Sequence, residues 1–310
     1  MLKSLFAGLA VASLIVAVPA LTVAAQQAPA DTQKPPEKTA APRAGQSAVE
    51  RVTFRSMDDP KTELVGYLYK PANPNGKAPA VVLMHGRAGA YSSLAKGEYN
   101  ARTLTMRHRF WAEYWAERGY YALVVDGFGP RGYPGGFAAG TYADRPDSIN
   151  EVTIRPLDAY GALRYLRTLP GVDGDRIGIM GWSNGGSATL ATMADDKVGD
   201  MSKLGFRAGI AFYPGCGLKK RFDAKGWKPY APVLVLMGTA DEEVSPKLCN
   251  SFVERSRKLG GKVEMITYDG ATHSFDDPGK RRQSVAANAA ATQDVRDRAA
   301  RFFAAEMAPR

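Results

Sequence analysis

The chain has 310 residues, 41 Lys and Arg against 31 Asp and Glu, and a formal charge of +10. A basic excess can draw in anionic polymers, yet the longest basic runs, Lys219-Lys220-Arg221 and Lys280-Arg281-Arg282, carry no interleaved aromatic residues. No nucleic-acid platform is therefore expected, and without Cys/His clusters at ligand spacing no metal or other cofactor is inferred.

Residues 1–25 hold an early Lys3, an uncharged apolar stretch over 5–18 and small residues at Val23 and Ala25. This is the pattern of a cleaved secretory signal peptide, too short in its apolar part for a spanning helix, so stable membrane insertion is not expected and the protein is placed in the periplasm or outside the cell. Residues 26–47 are Ala, Pro, Gln, Lys and Thr with few large apolar side chains. Such a segment cannot bury enough surface to offset its ordering entropy and is read as a disordered linker. Residues 48–310 remain for a single large α/β domain.

In that domain, residues 52–54 and 64–69 are β-rich runs split by Asp58-Asp59-Pro60, which predicts an antiparallel hairpin. Continuous apolar runs follow at 80–84, 121–125, 177–180, 210–212, 233–237 and 263–268, as strands buried on both faces require. Helical patterns at 110–117, 157–168, 185–193, 246–259 and 292–307 alternate with them. The alternation predicts a mostly parallel sheet covered on both faces, with its site at the carboxyl ends of the strands.

Gly181-Trp182-Ser183-Asn184-Gly185-Gly186 lies between the run at 177–180 and the helical pattern that follows. Strand, sharp turn and helix in that order present the serine hydroxyl at the tip of the turn, and the flanking glycines allow the close approach the turn needs. A serine hydroxyl is a poor nucleophile without a base and a group to orient that base. Only His85, His108 and His273 exist. His273 sits in a loop directly after the last strand pattern and is the expected base; His85 opens the loop after the 80–84 run, and His108 sits in an arginine-rich stretch ahead of a helix. Asp241, just after the run at 233–237, is the expected orienting acid, with Glu242 a competitor or both simply complementing a helix N-terminus. The order Ser183, Asp241, His273 is the one expected of α/β-hydrolases. Backbone N–H groups of Asn184 and Arg87, the latter in His85-Gly86-Arg87-Ala88-Gly89, are the expected oxyanion donors.

These residues, with Asp126-Gly127-Phe128-Gly129-Pro130-Arg131-Gly132, Asp158-Ala159-Tyr160, Asp173-Gly174-Asp175-Arg176-Ile177, Tyr213-Pro214-Gly215-Cys216-Gly217 and His273-Ser274-Phe275-Asp276, resemble the dienelactone hydrolase family of α/β-hydrolases over nearly all of the chain after Arg51. The resemblance implies the α/β-hydrolase fold and acyl-transfer chemistry on a small-molecule ester. The family's namesakes use a cysteine nucleophile and a glutamate beside the oxyanion loop, whereas this chain has Ser183 with Gly86 and Arg87. The expectation is therefore a serine esterase, or a lactonase, rather than a dienelactone hydrolase proper. A peptidase or amidase of the prolyl-oligopeptidase type and a non-catalytic binding protein are the alternatives.

Arg87 and Arg131 are candidates to pair with a substrate carboxylate, or else to form structural ion pairs. Tyr99, Trp111, Phe128 and Tyr133 are candidates for the pocket wall or for the core. Cys216 and Cys249, the only cysteines, are expected to form a disulfide, since one follows a strand and the other lies in the helix after the next strand.

Overall fold

The computed structural model describes residues 49–72, 76–196 and 204–309. The signal peptide expected over 1–25 and the linker over 26–47 lie outside the described residues. Eight strands form one sheet: β1 (Val49–Arg55), β2 (Glu63–Tyr69), β3 (Ala78–Met84), β4 (Tyr121–Asp126), β5 (Val172–Trp182), β6 (Ala208–Phe212), β7 (Val233–Gly238) and β8 (Val263–Tyr268). Their spatial order is β1-β2-β4-β3-β5-β6-β7-β8. The hairpin β1–β2 and the pair β2–β4 are antiparallel, and every other pair is parallel.

Strands β3, β4, β6 and β7 are buried along their whole length. That explains why they read as unbroken apolar runs: helices cover both faces and leave no side for polar residues. From β3 the chain crosses to β4 on one side and to β5 on the other, so the loops after β3 and β5 part at a topological switch point. In open α/β sheets such a crevice at the carboxyl ends is where ligands bind. This is the α/β-hydrolase architecture expected from the sequence.

The helices α1 (Met106–Glu117), α2 (Arg155–Thr168) and α3 (Asn184–Thr192) are followed by Pro246–Lys258 and the C-terminal helix Ala286–Glu306. Two begin earlier than their apolar periodicity suggests. Thr105 caps α1 by accepting the His108 N–H at 3.2 Å, which brings the polar stretch Met106–Arg109 into the helix and buries His108 within it. In the C-terminal helix, Asn288 in the alanine-rich first turns accepts the Thr272 N–H at 2.8 Å and so grips the loop that carries His273.

The turn from β5 to α3 is held by contact that only glycine allows. A Cβ on Gly185 would stand 2.0 Å from the Met84 carbonyl oxygen, and one on Gly181 would stand 2.2 Å from the Gly185 carbonyl oxygen. Ser183 between them has φ 53° and ψ −116°, a conformation costing on the order of 1–3 kcal/mol that persists only when its surroundings over-determine it. Gly185→Ala should therefore lower folding stability by roughly 3 kcal/mol or more, because the methyl group would have to lever α3 off β3. Chemical denaturation measures it, and a variant as stable as the parent would contradict the packing described.

Candidate active site

The elbow places Ser183 where the loops after β7 and β8 can reach it. The Ser183 hydroxyl lies 3.0 Å from His273 Nε2, and His273 Nδ1 lies 2.9 Å from Asp241 Oδ2. A neutral imidazole with its proton on Nδ1 fits both contacts, donating to the carboxylate and accepting from the hydroxyl. The other oxygen of Asp241 accepts the backbone N–H groups of Glu243 and Val244, each at 2.9 Å, and its side chain is wholly buried. Glu242 is not the partner of the imidazole: it accepts the backbone N–H of His273 at 2.8 Å and a hydrogen bond from Arg282 at 3.0 Å.

A buried carboxylate fixes the histidine loop from below. Asp276 accepts hydrogen bonds from the indoles of Trp111 and Trp182 at 2.8 Å each, and from the Tyr213 phenol. Trp182 directly precedes Ser183, and the Tyr213 ring packs against His273 with centroids 4.7 Å apart. One side chain thus ties together the elbow, the end of β6 and the histidine loop. Burial pushes the Tyr213 phenol well above its ordinary pKa, so it stays a donor to Asp276.

The other two histidines are structural. His85 donates from Nδ1 to the Gly86 carbonyl at 2.7 Å and accepts the Gly127 N–H on Nε2 at 3.2 Å, which uses both nitrogens of the neutral ring. His108 lies inside α1, with Nδ1 2.9 Å from the Ala90 carbonyl and Nε2 buried without a partner.

Asn184 opens α3, and Gly86 runs close against the elbow, where an added Cβ would be 3.6 Å from that of Ser183. Among the described residues neither the Asn184 nor the Arg87 backbone N–H is spent on a protein acceptor. The Arg87 carbonyl accepts the Phe137 N–H at 2.8 Å, bracing the loop. A cleft of about 710 Å³ opens over Ser183 and Asn184. Its walls include Tyr142 and Arg145 on one side, the loop from Gly215 to Lys220 on another, and Val244 with Leu248 at the acid loop. Cys216 and Cys249 are joined as a disulfide, Cα atoms 5.0 Å apart, anchoring that second wall to the helix behind it.

Several expected pocket residues stand elsewhere. Arg131 is turned away from the cleft: its guanidinium meets Asp58 at 2.7 Å and Asp158 at 2.8 Å with its side chain only 6% exposed, so it closes a buried ion network rather than facing a substrate. The Arg87 side chain is also occupied, forming a fork with Glu243 at 2.7 and 3.0 Å. Partial burial would raise the Glu243 pKa, but the Arg87 hydrogen bond and the charges of His273 and Arg87 outweigh it and hold the carboxyl below its usual range. Trp111 and Phe128 are core residues, and Tyr133 packs on Phe137 at 5.1 Å. Tyr99 lines a separate cavity of about 430 Å³ with Tyr91 and Asp126.

Sequence reasoning missed the cationic groups that do reach the cleft: Arg145, Lys219 and Lys220. Lys219 and Lys220 belong to a basic run whose lack of interleaved aromatic residues argues only against a nucleic-acid platform. Lys219 lies 5.3 Å and Arg145 5.2 Å from the Tyr142 ring centroid, and burial lowers the Arg145 pKa.

A serine elbow with its acid and base in this order, on this sheet, defines the α/β-hydrolase class. Residues 64–307 match the dienelactone hydrolase family, and the chain belongs to that family. A Bradyrhizobium protein named as a probable 2-oxo-3-(5-oxofuran-2-ylidene)propanoate lactonase is 26% identical over 168 residues, covering 52% of this chain and 64% of that protein. The chain thus spans somewhat under two thirds of the length of that relative. Among solved structures, paraoxon-phosphorylated esterase 2 of Thermogutta terrifontis superposes with a TM-score of 0.56 at 23% identity, covering 84% of this chain and 96% of that one. A chain from Klebsiella pneumoniae subsp. pneumoniae MGH 78578 superposes with a TM-score of 0.59 at 18% identity, covering 83% and 99%.

The buried histidines make folding pH-dependent. Burial lowers the His108 pKa to about 4, and that of His85 well below 6.5. Between pH 6.5 and 4 the unfolded chain binds protons that the folded chain refuses, so stability rises with pH across that window and falls on acidification. Going from pH 7 to pH 5 should cost roughly 2 kcal/mol through His108 alone. Urea denaturation at the two pH values reads this, with a shallower slope expected in His108→Gln; equal slopes would contradict the assignment.

Proposed function

We propose that this protein is a serine hydrolase that cleaves carboxylic esters, lactones included, through an acyl-enzyme. The observation that carries the reading is the pair of contacts at His273, 3.0 Å to the Ser183 hydroxyl and 2.9 Å to Asp241, at the floor of an open cleft. Ser183 Oγ attacks the carbonyl carbon while His273 Nε2 takes its proton, and Asp241 stabilises the imidazolium that results. The carbonyl oxygen becomes an oxyanion beside the N–H groups of Asn184 and Arg87. His273 then gives its proton to the departing alkoxide, and water attacks the acyl-serine with His273 again as base. Membership in the dienelactone hydrolase family supports this chemistry, and the esterase fold neighbour is consistent with it.

The cleft also suggests the kind of ester. Arg87 is neutralised by Glu243, but among the described residues Arg145, Lys219 and Lys220 form no ion pair. An anionic group on the far end of the substrate would meet them. Export to the periplasm or medium fits the disulfide, because such bonds persist in oxidising compartments; no helix among the described residues is long and apolar enough to cross a membrane.

Purified protein should hydrolyse p-nitrophenyl acetate and butyrate faster than the matching peptide p-nitroanilides. Ser183→Ala should lower kcat by at least about 1,000-fold and Asp241→Asn by about 100-fold or more with KM little changed. Wild-type protein inert toward all of these, or Ser183→Ala as active as the parent, would overturn the reading.

Charge selection is tested by comparing mono-p-nitrophenyl glutarate with p-nitrophenyl butyrate. The anionic ester should have the higher kcat/KM at low salt, the advantage should shrink at 0.5 M NaCl, about where screening falls to a few ångström, and Lys219→Gln should reduce it. A neutral ester favoured at every ionic strength would contradict the anionic preference and leave the hydrolase assignment standing.

A further inference from the structure

The residue after the nucleophile is held by a buried polar relay that the triad does not use. Arg155 Nη1 donates to Asn184 Oδ1 at 2.6 Å, Asn184 Nδ2 donates to Glu151 Oε2 at 3.2 Å, and the Tyr142 phenol donates to Glu151 Oε1. Glu151 is 4% exposed and Arg155 not at all, while Tyr142 is half exposed in the cleft wall. Both ends of the Asn184 amide are therefore fixed: a donor-only guanidinium faces its oxygen and an acceptor-only carboxylate faces its nitrogen, so the amide has one orientation.

Charge sharpens the case. Two opposite charges have been taken out of water beside the nucleophile, and Arg155 Nε and Nη2 have no hydrogen-bond partner. Such an arrangement costs free energy and adds little to stability over apolar packing. It does add geometry. Asn184 is the first residue of a helix only nine residues long, and its backbone N–H is the donor assigned to the oxyanion. Loosening its side chain lets the first turn of α3 drift, and a donor displaced from the position of the developing charge loses most of its effect.

Resting on the serine-hydrolase reading, we propose that Glu151 is a positioning residue of the oxyanion site: with Arg155 on the other side it locks the Asn184 amide, and through Tyr142 it links that donor to the cleft wall. The relay acts on the transition state by placing the Asn184 N–H rather than by binding the ground state.

The experiment compares wild type, Glu151→Gln and Tyr142→Phe. Glutamine keeps the shape but not the charge: its oxygen can accept from Asn184 while its NH2 donates to the Tyr142 phenol, so the charge-assisted grip on the Asn184 amide is replaced by a weaker neutral one. Glu151→Gln should lower kcat on p-nitrophenyl butyrate about tenfold with KM within about twofold. Affinity for an alkyl trifluoromethyl ketone, whose serine adduct carries the oxyanion, should fall by the same factor, while inhibition by neutral butyramide stays unchanged. Tyr142→Phe, which spares the amide contact, should show a smaller loss of kcat of about threefold in the same direction.

A folded Glu151→Gln protein with wild-type kcat, or one that loses ketone and butyramide affinity equally, overturns the relay. Should Glu151→Gln fail to fold, Tyr142→Phe decides: unchanged kcat and ketone affinity overturn the proposal. A wild type without turnover or ketone binding removes the hydrolase reading itself, an outcome distinct from an active wild type matched by its Glu151 variant.

Discussion

The site depends on one steric constraint, the approach of α3 to the sheet at glycine. With Gly185 pressed on the Met84 carbonyl and a Gly186 Cβ only 2.8 Å from the Phe212 carbonyl oxygen, α3 sits directly on the carboxyl ends of β3 and β6. Ser183 is then forced into its left-handed backbone, with its N–H donating to the Phe212 carbonyl at 2.9 Å. A side chain at either glycine would lift the helix, relax the turn and withdraw both the hydroxyl and the Asn184 N–H. The placements of the Ser183 hydroxyl and of the Asn184 N–H are thus consequences of the same packing.

Around that point, three loops are fastened by side chains that do not themselves react. Asp276 binds the histidine loop to Trp182 and Trp111; Asn288 holds Thr272; the Arg87–Glu243 fork connects the loop after β3 to the loop after β7 across the front of the site. Glu243 also lies 3.7 Å from His273 Nε2, so the fork keeps a carboxylate beside the base while neutralising it. The cations left over in the cleft wall, Arg145 with Lys219 and Lys220, form no ion pair among the described residues.

The sequence exposed what is encoded locally. A buried parallel strand needs apolar residues on both faces, so the strands could be read as runs; the elbow, the acid after β7 and the histidine after β8 each sit within a few residues of a strand end. The two cysteines could be paired because their elements are consecutive. What escaped was set by tertiary contact. Arg131 reads the same whether it meets a substrate or Asp58 and Asp158, and only the fold, which brings residue 58 beside it, decides. Trp111 pairs with Asp276 across 165 positions and Arg155 with Asn184 across 29, separations at which no spacing rule operates. The helix start at Met106 was hidden for the same reason, since the Thr105 cap rather than apolar periodicity sets it.

The central claim is that Ser183 is an activated nucleophile, and its reactivity can be read without knowing the natural ester. The protein is treated with a fluorophosphonate, digested, and the adduct mapped by mass spectrometry. Modification confined to the peptide containing Ser183 and abolished by prior denaturation is the predicted result. An intact, folded protein that stays unmodified, or that is modified at another serine while Ser183 is spared, would contradict it.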